Sequence, residues 1–131
     1  MTDVLTFTDT DGVEISCRKW LPNGDAKAIV QIAHGASEHS ARYARFAEFL
    51  TSHGYAVYAD DHRGHGLTAK VTGVGKGGPR GWEGMVDDLA ELGAIARKEV
   101  PGVPLILFGH SMGSFLAQRF IQQRSIVPLM H

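Results

Sequence analysis

The residues with the most evident chemical potential are Gly109-His110-Ser111-Met112-Gly113. A serine with glycines two positions before and two after it, between an apolar strand and an amphipathic helix, has the setting of a nucleophile elbow. The turn must be very tight. Glycines at 109 and 113 remove side chains that would collide across it, and the hydroxyl of Ser111 is then presented above the carboxyl edge of the sheet. A helix starting directly after the serine points backbone N–H groups and the positive end of its dipole at the reacting centre. That arrangement stabilises an oxyanion and so suits acyl transfer.

The other chemistry-bearing residues are weaker candidates. Of seven histidines, His34 and His110 flank the elbow or the loop that would face it. His62 and His65 sit in the polar turn Asp60-Asp61-His62-Arg63-Gly64-His65-Gly66, which reads as a hydrogen-bonded turn held by Asp60, Asp61 and Arg63. No cluster has metal-ligand spacing, so no metal site is expected. The glycine-rich stretch Gly73-Val74-Gly75-Lys76-Gly77-Gly78 does not match a phosphate-binding loop and reads as a mobile surface loop. Asp87 and Asp88 are expected on the solvated face of a helix, away from Met85, Leu89 and Leu92.

The elements that must position the elbow follow from patterning. Val4–Thr8 and Val13–Trp20 alternate apolar and polar residues around the turn Asp9-Thr10-Asp11-Gly12, which predicts an antiparallel hairpin. Ala28–Ala33 and Tyr55–Ala59 are short apolar runs bounded by turn residues, as buried central strands are. Between them, Tyr43, Phe46, Phe49, Leu50 and His53 recur at helical spacing and Gly54 closes the helix. Trp82, Met85, Val86, Leu89, Leu92 and Ile95 mark a second helix, Pro104–Phe108 a further strand, and Phe115, Leu116 and Phe120 a third helix. A hairpin followed by strand–loop–helix units predicts an α/β fold with a mostly parallel sheet and helices on its faces.

Bulk properties exclude several classes. The 131 residues suit one domain, and 44% apolar content suits a packed core. A net charge of −1 gives no electrostatic support for nucleic-acid binding. The lone Cys17 cannot form an internal disulfide, and no signal peptide or membrane-spanning run is read, so the default location is the cytoplasm.

Three segments together resemble one family. Gly109-His110-Ser111-Met112-Gly113 is similar to the elbow of monoacylglycerol lipases and lysophospholipase-like α/β-hydrolases. His34-Gly35-Ala36-Ser37-Glu38-His39-Ser40-Ala41-Arg42-Tyr43 resembles their loop after the third strand, and Asp61-His62-Arg63-Gly64-His65-Gly66 the turn after the fourth. The resemblance runs from Val13 to about Gln122. It implies Ser111 as nucleophile and the backbone N–H groups of Met112 and Ala36 as the two oxyanion donors. Gly35, Gly109 and Gly113, with His34 and His110, would shape the loop and pocket floor. It implies an ester or lipid substrate and no cofactor.

In this family the order is serine, then acid, then histidine. The 20 residues after Ser111 contain no Asp or Glu and one histidine, His131. The chain is therefore expected to form one partial domain over residues 1–131, the N-terminal half of the fold. It would be truncated after the elbow helix, or frameshifted near Arg124, and have little activity alone. The strand Pro104–Phe108 would be left as an exposed apolar edge, open to self-association. Two alternatives stay open: a non-catalytic binding module built on half the fold, and another serine chemistry such as a peptidase, thioesterase or perhydrolase.

Overall fold

A computed structural model describes residues 2–35, 39–68 and 81–124. The elements in chain order are β1 (Thr2–Thr8), β2 (Glu14–Trp20), β3 (Ala28–Ala33), α1 (Ala44–Ser52), β4 (Tyr55–Asp60), α2 (Gly81–Glu99), β5 (Leu105–Gly109) and α3 (Met112–Arg124). Short 3₁₀ turns at Ser40–Tyr43 and Gly66–Thr68 lead into α1 and follow β4. The five strands form one sheet in the order β1-β2-β4-β3-β5. The hairpin is antiparallel, with Leu5 opposite Cys17, and β2 continues antiparallel onto β4. β4, β3 and β5 are parallel.

The expected hairpin and parallel strands are thus present, as is an α/β arrangement. The glycine loop at 73–78 and the tail after Arg124 lie outside the described residues.

All six residues of β3 are buried, because helices cover both faces of the central strands. Val30 and Ile32 pack with Val57, Ala59, Trp20 and Ala47 on the α1 face. Ile29 packs with Ala56, Tyr58, Leu92 and Ala96 on the α2 face, and Ala33 with Val86, Leu89 and Leu116. Gln31 is the polar exception in this run. Its side-chain amide donates to the Leu89 carbonyl at 2.8 Å, and its Oε1 lies where Gly93 leaves room. A buried amide is tolerated only with such partners. Cys17 is buried in β2, and burial, with the Asp60 charge next, pushes its thiol well above the usual range.

Two expectations are corrected. Asp88 is not on a solvated helix surface. It is buried against Arg63, whose Nε–H donates to Asp88 Oδ2 at 2.9 Å. Nor do Phe46 and Phe49 form the buried stripe of α1. Ala47 is buried and Leu50 packs beside it, while Phe49 is 59% exposed and Phe46 leans on Phe108 with ring centroids 5.2 Å apart. Ile106 and Phe108 of the edge strand β5 are 50% and 39% exposed on this same side.

Candidate active site

The backbone at the elbow is unlike that of any other described residue. Ser111 has φ 55°, the sole positive value at a non-glycine position among the described residues. L-residues enter this region only where the surroundings enforce it, and such positions cluster at functional sites. Here the enforcing elements are β5, which delivers the chain into the turn, and α3, which starts at the next residue. Ser111 is exposed, and its carbonyl accepts from the Ser114 N–H at 2.9 Å and the Phe115 N–H at 3.3 Å as the helix begins. Met112 is the first residue of α3, where a backbone N–H has no intrahelical acceptor.

The glycines act by permitting contact between two loops. A side chain at Gly109 would put its Cβ 2.6 Å from the Gly113 carbonyl oxygen. One at Gly113 would lie 2.6 Å from the His34 oxygen and closer still to the Ala33 carbonyl. The start of α3 therefore rests directly on the end of β3. The His110 N–H, donating to the Ala33 oxygen at 3.1 Å, ties the same pair. His110 itself presents its side chain at the surface. This crossing brings Ser111 and Met112 beside the loop that begins at His34. Ala36, the other expected oxyanion donor, lies outside the described residues.

Beneath that loop is a buried network that the sequence reading did not foresee. The His62 backbone N–H donates to His34 Nε2 at 3.0 Å, so that nitrogen carries no proton. The other ring nitrogen, Nδ1, donates to the Gly35 carbonyl at 2.7 Å. His34 is thus held as the neutral Nδ1–H tautomer. Burial, and then the neighbouring His62, lower its pKa to about 4. The ring of His62 stacks on that of His34 at 3.9 Å. Its Nε2 faces the His34 carbonyl at 3.0 Å, and its Nδ1 faces Asp60 Oδ2 at 3.3 Å. Both His62 nitrogens face acceptors, which calls for a proton on each. Burial opposes that charge, but the Asp60 carboxylate outweighs it and holds the His62 pKa above the usual histidine range. Burial likewise works against the Asp60 charge, and His62 beside it keeps its carboxyl below the usual range. His62 and Asp60 form an ion pair with both side chains fully buried.

The rest of the turn is anchored as expected in kind but not in partners. Asp61 accepts from the Ser40 N–H at 2.6 Å and the Leu67 N–H at 3.0 Å, tying the turn to the entry of α1. Arg63 leaves the turn altogether. Its guanidinium is buried between Asp9 at 2.5 Å, Asp11 at 2.9 Å and Asp88, joining the hairpin turn to α2. Burial, then a hydrogen bond with Asp9, raises Asp88 to about 8, while Asp9 is held below the usual range. Among the described residues no group of His, Cys, Asp and Glu could hold a metal ion. No helix among them is long and apolar enough to cross a membrane.

Comparison with known proteins agrees with this geometry. Residues 24–127 match the family described as serine aminopeptidase, S33. Human monoglyceride lipase is 36% identical over 115 residues, 88% of this chain and 37% of that protein. Monoacylglycerol lipase from Mycolicibacterium smegmatis is 38% identical over 108 residues, 82% of this chain and 37% of that protein. The chain thus spans about 37% of the length of the curated relatives it matches. Among solved structures, a thermostable carboxyl esterase from Bacillus coagulans superposes with a TM-score of 0.88 at 34% identity, over 95% of this chain and 41% of the other. A soluble variant of monoglyceride lipase from Saccharomyces cerevisiae gives 0.81 at 23% identity, over 94% and 39%.

Proposed function

The chain belongs to the serine aminopeptidase S33 family and carries the N-terminal part of the α/β-hydrolase fold, and from that premise we propose that Ser111 is the nucleophile of a serine carboxylic-ester hydrolase acting by acyl transfer. The observation that carries this reading is the strained backbone of Ser111, at φ 55° between β5 and α3. Holding a serine there costs roughly 1–3 kcal/mol, which a mere βα turn would avoid. The substrate class is a monoacylglycerol or lysophospholipid, or another small carboxylic ester. Ser111 Oγ attacks the ester carbonyl, and the Met112 and Ala36 N–H groups receive the oxyanion. The alcohol leaves, and water then releases the acid. No cofactor takes part. Gly109 and Gly113 allow the elbow, while His34, Gly35 and His110 shape the loop and floor beside it. The single buried Cys17 fits a cytoplasmic setting.

The residues after Ser111 supply no carboxylate and one histidine, His131. Turnover by these 131 residues alone is expected to be low: in another serine enzyme, losing the base costs on the order of 10⁶ in kcat, although the oxyanion hole retains some catalysis. With p-nitrophenyl butyrate the chain is expected to release about one equivalent of p-nitrophenol slowly, as acyl group accumulates on Ser111. Equal release from Ser111→Ala would rule the reading out.

A second reading, a self-associating or binding module, is favoured by one observation. The edge strand β5 carries no charge from Leu105 to Gly109 and exposes Ile106 and Phe108. Such an edge pairs with other strands unless something blocks it. Sedimentation velocity is expected to show concentration-dependent association that Ile106→Lys abolishes. A monomer at every concentration would contradict it.

A further inference from the structure

Resting on the proposed role of Ser111 as nucleophile, we infer that Asp60 and His62 are positioning residues for the elbow, acting through the His34 carbonyl against which the start of α3 is seated. The elbow is a tight unit, closed by the Gly113 N–H on the His110 oxygen at 2.9 Å. Its underside meets two successive carbonyls at the end of β3. The Ala33 oxygen accepts from the elbow itself, through the His110 N–H at 3.1 Å. The His34 oxygen lies 2.6 Å from where a Cβ on Gly113 would sit, and its donor comes from elsewhere: His62 Nε2, at 3.0 Å. One of the two carbonyls under the nucleophile is thus aimed by a side chain of the turn after β4.

That donor exists only while His62 carries both ring protons. A neutral imidazole has one N–H and one lone pair. Nδ1 faces Asp60 Oδ2 at 3.3 Å, and the buried carboxylate keeps the remaining proton there. Nε2 would then turn its lone pair on the His34 oxygen, and repulsion would push that carbonyl off its seat beside Gly113. The Asp60 side chain is fully buried, and its Oδ1 has no hydrogen-bond partner among the described residues. A carboxylate so placed is costly to keep charged. Its charge is what holds the second proton on His62, because burial alone favours the neutral ring. The other titratable or charged groups around the pair are Asp61 and His65 in the same turn, His34 after β3, and Cys17 opposite Asp60 on β2. Asp61 adds to the pull of Asp60, His34 is neutral down to about pH 4, and the Cys17 thiol is raised well above its usual range.

The test has two readouts on the 131-residue chain. The first follows histidine-ring and backbone ¹H–¹⁵N signals as pH is raised. His62 is expected to lose its Nε2 proton at a midpoint above about 6.5, the ordinary histidine value. The amide signals of Met112 and Gly113 are expected to shift with that same midpoint, while that of Gly24, in the turn after β2, does not. In Asp60→Asn both midpoints are expected to fall together. The His65 ring gives its own signals, so its titration is read separately. Elbow amides that ignore the His62 titration, or a His62 already neutral at pH 6.5, overturn the inference whatever the chain's activity. The second readout is the rate at which a fluorophosphonate ester analogue modifies Ser111 at neutral pH. Asp60→Asn is expected to lower the limiting rate about tenfold or more and leave the half-saturating concentration within about twofold. A wild-type limiting rate in this variant overturns the inference, and if the variant does not fold, the titration of the unmodified protein decides alone. If unmodified Ser111 does not react at all, the hydrolase reading fails, and the titration still decides the clamp separately.

Discussion

Replacing Arg63 by methionine is expected to destabilise the chain by about 3–5 kcal/mol, the cost of taking the buried guanidinium away from the carboxylates packed around it. Arg63 is fully buried and joins Asp9 and Asp11 of the hairpin turn to Asp88 of α2. Methionine matches the length of the side chain but leaves Asp9 without its counter-charge. Asp9 also accepts from the backbone N–H groups of Asp11 and Val13, so the loss spreads into the turn. A small domain has a total stability of roughly 5–15 kcal/mol. The variant is therefore expected to melt far below the wild type, or to be unfolded at 37 °C. Asp88→Asn supplies the contrast. Burial already raises Asp88 to about 8, so at neutral pH little negative charge is lost with its carboxyl. The amide oxygen can still accept from Arg63 Nε, and the expected loss is nearer 1 kcal/mol. Urea denaturation of the three proteins decides it. A loss in Arg63→Met no larger than that in Asp88→Asn would show that the cluster is not organised around the guanidinium.

Gly113→Ala is the second large effect, and its sign is the informative part. In a helix, alanine in place of glycine normally stabilises by up to about 1 kcal/mol. Here the added methyl would overlap the Ala33 carbonyl and lie 2.6 Å from the His34 oxygen. Both are backbone atoms of β3 and the loop after it, held by sheet pairing on both sides of β3. They cannot move aside as a flexible side chain would. The expected outcome is a loss of about 3 kcal/mol or more, with displacement of α3 from the loop after β3. The same variant should also lose Ser111 acylation, because the elbow and that loop part together. Thermal melting near or above the wild-type value would mean that α3 does not rest on β3 as described.

What was legible in the sequence was local. The hairpin from Thr2 to Trp20, the apolar runs of β3 and β4, and the strand–serine–helix junction all show in patterning over a few residues. The elbow was the most legible feature, because its glycines sit where the backbone crossing forbids any Cβ. Long-range features were not legible. That β2 lies against β4 rather than β3 depends on which strands share the two covered faces, and adjacent runs carry no mark of it. Asp88 was misread because its partner Arg63 is 25 residues away in the chain. Phe46 and Phe49 have the right spacing for a buried face, yet Ala47 and Leu50 occupy the contact with the sheet. Phe46 instead leans on Phe108 of β5, and Phe49 stays exposed beside His53. The Asp60–His62–His34 network was hidden for a related reason. Its links span 28 residues and join two loops that meet only in three dimensions.

The central claim is that Ser111 is a nucleophile held in an acyl-transfer site. The most direct measurement is intact-mass and peptide mapping after incubation with a fluorophosphonate ester analogue. The account predicts a single adduct per chain, on the peptide that contains Ser111, absent in Ser111→Ala and absent after denaturation in urea. No adduct after prolonged incubation, or modification spread over other serines and tyrosines at the same rate, would contradict it.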